Sequence, residues 1–251
     1  MTIGLQLYTL RDYTRNMDDL KDSLAKLAKC GYTVVETAGY YGLSAGELAE
    51  LLAYYGLRTV STHTGFEAVV SNLQQVIADH KALGATHCSV PSMPGRWYCR
   101  TRNGFAAFAE RMEIAAEELA KEGITLSYHN HGFEFLPVEG DTCGEAVLLD
   151  HAPSVHLQLD TGHCYAAHED PADWLARYEN RIVTVHYKDV QFVDGVRRDV
   201  AIGEGEVDWA AVTATVKKSD CEYIIVEHEE FNRDPWDILK TSYENIRSYL
   251  K

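Results

Sequence analysis

Residues 155–160, VHLQLD, alternate without a break: Val155, Leu157 and Leu159 share one face, and His156, Gln158 and Asp160 share the other. Successive side chains of a strand point to opposite faces. The stretch is therefore a strand with one oily side and one polar side. Residues 182–189, IVTVHYKD, repeat the pattern, with Val183, Val185 and Tyr187 against Ile182, Thr184, His186 and Lys188. In residues 124–131, ITLSYHNH, Leu126 and Tyr128 oppose Ser127, His129 and His131. Residues 3–8 set Ile3, Leu5 and Leu7 against Gly4, Gln6 and Tyr8. Residues 223–230 set Ile224 and Val226 against Ile225, Glu227 and Glu229.

Working outward, three more short runs have the same character: TVVET from Thr33, RTVSTH from Arg58 and THCSV from Thr86. Helical patterns separate them. MDDLKDSLAKLAKCG and ELAELLAYYG end on Gly31 and Gly56, a common helix stop. The final helix, DPWDILKTSYENIRSYL, has Asp234 as N-cap and Pro235 in its first turn. Eight strand-then-helix units over 251 residues predict a parallel sheet closed into a single (β/α)₈ TIM barrel, with residues 1–251 as its one domain. A doubly wound open sheet is the alternative, and the even spacing favours closure.

In a barrel the oily faces pack against the helices and the polar faces point inward. Barrel interiors are usually filled with Val, Ile and Leu. Here the inward set is polar and becomes more charged toward the C-terminal end of each strand, where sites of this fold lie. Buried charge is costly unless paired or bound to a metal. Glu134, Asp160, His186 and Glu227 come from or follow four consecutive strands and can converge on one ion. Three carboxylates and one imidazole suit Mn²⁺ first, with Mg²⁺, Co²⁺ or Zn²⁺ as alternatives. His63, His129, His131, Gln6 and Glu36 are the candidate substrate contacts, and His163 and Lys188 candidate catalytic groups beside Glu227 and Glu134. His228 is expected to face the helices or to stand behind the ligands.

The net charge of −15 disfavours nucleic acid, whose phosphates need a basic footprint. No apolar run approaches the roughly 18 residues that cross a membrane, and no signal peptide pattern opens the chain. A cytoplasmic protein is expected. The six cysteines form no CxxC pair and are read as reduced, mostly buried thiols. No glycine-rich phosphate cradle is present, although Gly203 and Gly205 in GEGEVDW are placed at the mouth.

LQLYTLRD, GYTVVETAGYYG, STHTGF, YHNHGFEF, LDTGH, VHYKD, GEGEVDW and IIVEHEE, in that order, resemble the sugar-phosphate isomerase/epimerase superfamily, the xylose isomerase-like barrels. The resemblance covers nearly the whole chain. It implies one divalent ion held by Glu, Asp, His and Glu from successive strands, the last three matching Asp160, His186 and Glu227. The Asp is followed three residues on by a His, here His163. Ketose epimerases of the group carry the first Glu on the fifth strand; here Tyr128 or His129 stands there, and the resemblance implies Glu134 as that ligand. The YHNHxxEF form is similar to a branch with dehydratases and lyases of keto-sugars. The metal set of the related apurinic-site endonuclease is not matched.

The expected activity is a metal-dependent isomerase or epimerase of a small sugar or keto-sugar, working by proton abstraction beside a metal-bound carbonyl. Glu227 is the first choice of base and Glu134 its partner on the opposite face. A dehydratase or lyase on a keto-sugar or keto-inositol is the alternative, and a non-catalytic sugar-binding barrel the third. The expected partner is a small sugar, with no nucleic acid and no membrane. Tyr40, Tyr41, Trp97 and Tyr98 are the candidate contacts of a homo-oligomer.

Overall fold

A computed structural model describes residues 1–95 and 99–251. Trp97 and Tyr98, two of the candidate contact residues, lie outside the described residues. Eight parallel strands make the barrel: β1 (Thr2–Gln6), β2 (Val34–Thr37), β3 (Arg58–His63), β4 (His87–Val90), β5 (Thr125–His129), β6 (His156–Gln158), β7 (Thr184–Tyr187) and β8 (Tyr223–Val226). Their hydrogen-bonded order is β6-β5-β4-β3-β2-β1-β8-β7. A parallel bridge between Asp160 and His186 links the two ends, with the His186 N–H donating to the Leu159 carbonyl at 2.9 Å. The expected (β/α)₈ barrel is therefore the observed one.

The helices are α1 (Met17–Cys30), α2 (Ala45–Tyr54), α3 (Phe66–Ser71), α4 (Leu73–Leu83), α5 (Arg102–Lys121), α6 (Gly144–His151), α7 (Thr161–Ala166), α8 (Pro171–Arg177), α9 (Trp209–Val216) and α10 (Pro235–Leu250). Their ends follow the local chemistry. Asn16 accepts from the Asp18 and Asp19 amides at the start of α1, and Gly31 takes the left-handed conformation at its end (φ 105°). Asp234 accepts from the Trp236 and Asp237 amides to start α10 at Pro235. Leu20, Leu24 and Leu27 of α1, Leu48 and Leu52 of α2, and Phe105, Phe108 and Met112 of α5 are buried in the layer between sheet and helices. Each such side chain contributes about 1.5–3 kcal/mol on burial.

The inner face is layered along the barrel axis. At the bottom Val34, Val60 and Ile225 form a small apolar cluster separate from the main core. Gly4 sits beside it, where a Cβ would come within 2.8 Å of the Ile225 and Val34 methyls. Above lie Gln6, Glu36, Gln158 and Thr184, all buried. Nearest the C-terminal ends come His129, His186 and Glu227.

Two antiparallel hairpins were not legible in the sequence. One pairs residues Pro137–Glu139 with Thr142–Cys143; the longer one pairs Asp189–Val193 with Val196–Val200 over the barrel mouth. Gly203 and Gly205 brace that longer hairpin instead of lining the mouth. Their amides donate to Asp189 Oδ2 at 2.8 and 3.0 Å, and the Trp209 indole donates to it at 2.7 Å. A Cβ on Gly205 would stand 2.2 Å from Asp189 Oδ1, so only glycine fits the cradle.

All six cysteines are unpaired; Cys88, Cys164 and Cys221 are buried, Cys30 and Cys143 half-buried, and Cys99 exposed. Among the described residues no helix is long and apolar enough to cross a membrane.

Candidate metal centre

Parity brings four side chains of consecutive strands or their ends to one point. His129, Asp160, His186 and Glu227 each offer a ligand atom within 4.8 Å of every other. His186 Nδ1 lies 2.6 Å from Glu227 Oε2, and His129 Nε2 lies 3.6 Å from both Asp160 Oδ2 and Glu227 Oε2. Asp160 also caps α7, its Oδ1 accepting from the His163 amide at 2.8 Å. Its backbone N–H is in turn held by Asn130 Oδ1 at 2.8 Å.

Two buried atoms of this group face each other 3.6 Å apart: His129 Nε2, which has no hydrogen-bond partner, and Asp160 Oδ2, whose other neighbour is the Lys188 ammonium at 3.1 Å. A buried ring nitrogen left without a partner beside a carboxylate oxygen is costly as it stands. A cation between them removes that cost, so the donor set fits a metal ion.

The electrostatics agree. Burial drives His129 down to about 4, so the ring is neutral and its lone pair available. Burial works against ionisation of Asp160 and Glu227, yet the Lys188 ammonium and nearby histidines hold both well below the usual carboxylate range. Burial would lower His186 too, but Glu36 and Glu227 on either side lift it to about 10.

Glu134 does not join the group. The strand ends at His129, and the turn through residues Phe133–Phe135 carries Glu134 back beneath the loop. Its Oε1 accepts from the Tyr128 hydroxyl at 2.7 Å and its Oε2 from the His131 amide at 2.8 Å. Glu134 is fully buried and is pushed up to about 7, chiefly by that burial. The place expected for it is held by His129, read from the sequence as a substrate contact.

Gln6 and Glu36, also read as substrate contacts, lie under the cluster with no exposed surface. Glu36 faces Gln6, Gln158, His186 and His63 instead of the cavity. His63, His129 and His131 do line the mouth, together with Tyr8, Glu227 and Glu229, around a cavity of about 420 Å³. Such a volume suits a small polar molecule.

Lys188 is wholly buried beside the ligands, its Nζ 3.1 Å from Asp160 Oδ2 and 3.2 Å from both Glu227 Oε1 and Glu229 Oε1. His163 Nε2 is 3.1 Å from the same ammonium. Sequence reading missed Arg197 and passed over Glu229. From the long hairpin, Arg197 reaches His163 Nδ1, Asp199 Oδ1 and Glu229 Oε2, each at 3.0 Å. Pairing across residues 189–200 is what folds it back onto the site, and no local pattern announces that. His228 is buried with its ring against Phe231, 4.7 Å between centroids.

Residues 24–249 match the family model described as xylose isomerase-like TIM barrel. The chain is 24% identical to the rhizopine catabolism protein MocC of Rhizobium meliloti, over 90% of this chain and 80% of that one. It is 25% identical to the inosose dehydratase of Geobacillus kaustophilus, over 82% of this chain and 79% of that protein. A crystal structure of a sugar phosphate isomerase/epimerase from Parabacteroides distasonis superposes with a TM-score of 0.85 at 22% identity, covering 100% of this chain and 95% of that one. With its barrel closed at Asp160 and His186 and the family model spanning nearly its whole length, the chain belongs to the xylose isomerase-like TIM barrel family.

Proposed function

We propose that the chain is a divalent-metal-dependent enzyme that removes the proton beside the carbonyl of a small keto-sugar or keto-inositol and expels a β-oxygen, making it a lyase. The observation that carries this reading is the asymmetry of the cluster. Glu227 is its one carboxylate on the cavity wall, while Glu134, the expected partner base, is turned away onto Tyr128. Beside Glu227 stand the Lys188 ammonium and, 3.1 Å from it, the His163 ring. The similarity to an inosose dehydratase supports the same outcome.

His129, Asp160, His186 and Glu227 would hold the ion. Two imidazoles with two carboxylates fit Zn²⁺ or Co²⁺ as well as Mn²⁺. When bound, a divalent ion polarises a carbonyl and its neighbouring hydroxyl and so acidifies the carbon between them. Glu227 Oε1, the oxygen not facing His186, takes the proton from that carbon. His163 gives a proton to the departing β-hydroxyl, which leaves as water while the carbon–carbon double bond forms. Lys188 Nζ lies 3.2 Å from Glu227 Oε1 and 3.1 Å from His163 Nε2, so the proton taken by Glu227 returns to His163 through it and the ammonium ends as it began. Arg197 holds the other edge of the His163 ring at Nδ1, and Glu229 Oε1 lies 3.3 Å from Nε2.

An isomerase or epimerase is the second reading. It is favoured by His131, which lines the cavity with Glu227, lies outside the ligand group and is held neutral chiefly by burial, giving the site a second proton acceptor. Proton NMR of a keto-inositol or keto-sugar with enzyme and metal in D₂O separates the two. New olefinic signals are expected. Exchange at the α carbon without loss of hydroxyl supports the second reading, and binding without any exchange overturns both.

A further inference from the structure

We infer that Glu36 is a positioning residue of the metal centre: by holding an N–H at Nε2 of His186, it leaves Nδ1 as the nitrogen that meets the ion. The inference rests on the metal-binding reading above.

Glu36 lies on the inner face of β2, wholly buried, one layer beneath the ligands. Its Oε1 accepts from Gln6 Nε2 at 2.6 Å and faces His186 Nε2 at 2.7 Å and His63 Nε2 at 3.0 Å. Its Oε2 accepts from Gln158 Nε2 at 2.7 Å. The two amides are themselves fixed. Gln6 Oε1 accepts from the Tyr8 amide at 2.9 Å, and Gln158 Nε2 also donates to Thr184 Oγ1 at 2.9 Å. Both therefore present donors to Glu36, and the carboxylate cannot rotate away without breaking them.

His186 stands between two carboxylates. Nδ1 faces Glu227 among the ligand atoms, and Nε2 faces Glu36 toward the barrel centre. A neutral imidazole has one N–H and one lone pair, and a ligating histidine must present the lone pair to the metal. With the N–H on Nδ1, the Nε2 lone pair would press against Glu36 Oε1 at 2.7 Å, and no lone pair would face Asp160, His129 and Glu227. With the N–H on Nε2, both contacts are attractive once an ion is present. A ring that gives up one of its two protons to make room for an ion keeps the other at Nε2, because the donors gathered around Glu36 fix that carboxylate against it. Remove the Glu36 carboxylate, and Glu227 holds the N–H at Nδ1, where the ion should bind.

The test has two arms. In the first, Zn²⁺-loaded wild-type protein with ¹⁵N-labelled histidine is examined by long-range ¹H–¹⁵N correlation. His186 is expected to show a protonated Nε2 and a metal-bound Nδ1; the reverse pattern overturns the inference without any mutation. In the second, Zn²⁺ affinity is measured by chelator competition for wild type, Glu36→Gln and Glu36→Ala, with circular dichroism as the control for folding. A 10- to 100-fold loss is expected for Glu36→Ala, the usual effect of removing a carboxylate behind a ligating histidine. A smaller loss is expected for Glu36→Gln, whose amide oxygen can still accept from Nε2. Wild-type affinity in folded Glu36→Ala overturns the inference alone. A wild-type chain that binds no ion overturns the metal reading, and the inference with it.

Discussion

Asp160 and His186 meet twice: as backbone partners in the bridge that closes the barrel, and as side chains in one ligand group. The candidate metal therefore sits on the seam between the first and last strands of the hydrogen-bonded order. An ion bound there ties the seam shut from inside, and anything that binds only the folded state stabilises it. At a free-ion concentration 100 times Kd the gain is about 2.7 kcal/mol, or roughly 5–10 °C in Tm for a chain of this size. Melting in Zn²⁺ or Mn²⁺ against melting in chelator measures it. The shift should vanish in His186→Ala and Asp160→Asn; a chelator-insensitive wild type would contradict the site.

The exchange of Glu134 for His129 at the cluster separates two variants cleanly. His129→Ala removes an imidazole whose Nε2, without a hydrogen-bond partner, lies 3.6 Å from two carboxylates, and should abolish stoichiometric metal at micromolar ion. Glu134→Gln should retain full stoichiometry, because neither oxygen of Glu134 reaches the group. Elemental analysis of the two purified proteins decides. Metal lost from Glu134→Gln and kept by His129→Ala would restore the ligand set read from sequence.

That exchange also marks where sequence reasoning reaches and where it stops. Alternation alone sorted Ser127, His129, Gln158, Thr184, His186 and Glu227 onto the polar face, and all of them are buried there. Parity had thus already turned His129 inward. Glu134 is read as a ligand from its place just after the fifth strand and from the resemblance, but it lies past the end of the strand, where parity no longer applies. What aims it is the turn at Phe133–Phe135 and the Tyr128 hydroxyl, a contact between neighbours that spacing does not reveal. Arg197 was invisible for a related reason. Its position depends on the Asp189 cradle that folds the hairpin back, and GEGEVDW reads equally well as a mouth-lining loop.

Glu134 and Glu145 make stability depend on pH in a direction opposite to that of paired surface carboxylates. Burial pushes Glu134 up to about 7, and burial with the neighbouring Glu134 charge pushes Glu145 well above the usual range. Both Glu145 oxygens lack hydrogen-bond partners. A group whose folded pKa is raised contributes its stability below the unfolded value, and that contribution is lost as pH rises through the folded value. For Glu134 the window runs from 4.5 to about 7, and the loss across it is on the order of 3 kcal/mol. Thermal melts at pH 5, 6, 7 and 8 should show Tm falling on the alkaline side, with a shallower fall in both Glu134→Gln and Glu145→Gln. Three parallel curves would rule out this account of the pair.

Gly162 isolates the role of Lys188 from that of the metal. At Gly162, in the first turn of α7, a Cβ would lie 2.7 Å from Lys188 Cγ and 3.0 Å from its Cβ and Cδ. Directly before it, Thr161 Oγ1 accepts from the Lys188 amide at 3.0 Å and donates to the Lys188 carbonyl at 2.9 Å, so the backbone cannot yield. The side chain must move instead, and its ammonium leaves His163 and Glu227. Gly162→Ala should therefore keep stoichiometric metal while kcat falls about 100-fold, the scale of one lost proton-transfer partner. KM should change less, because Lys188 has no exposed surface in the cavity. Elemental analysis and steady-state kinetics on one preparation give both readouts. Unchanged kcat in a variant whose Lys188 is shown crystallographically to be displaced would remove the ammonium from the mechanism.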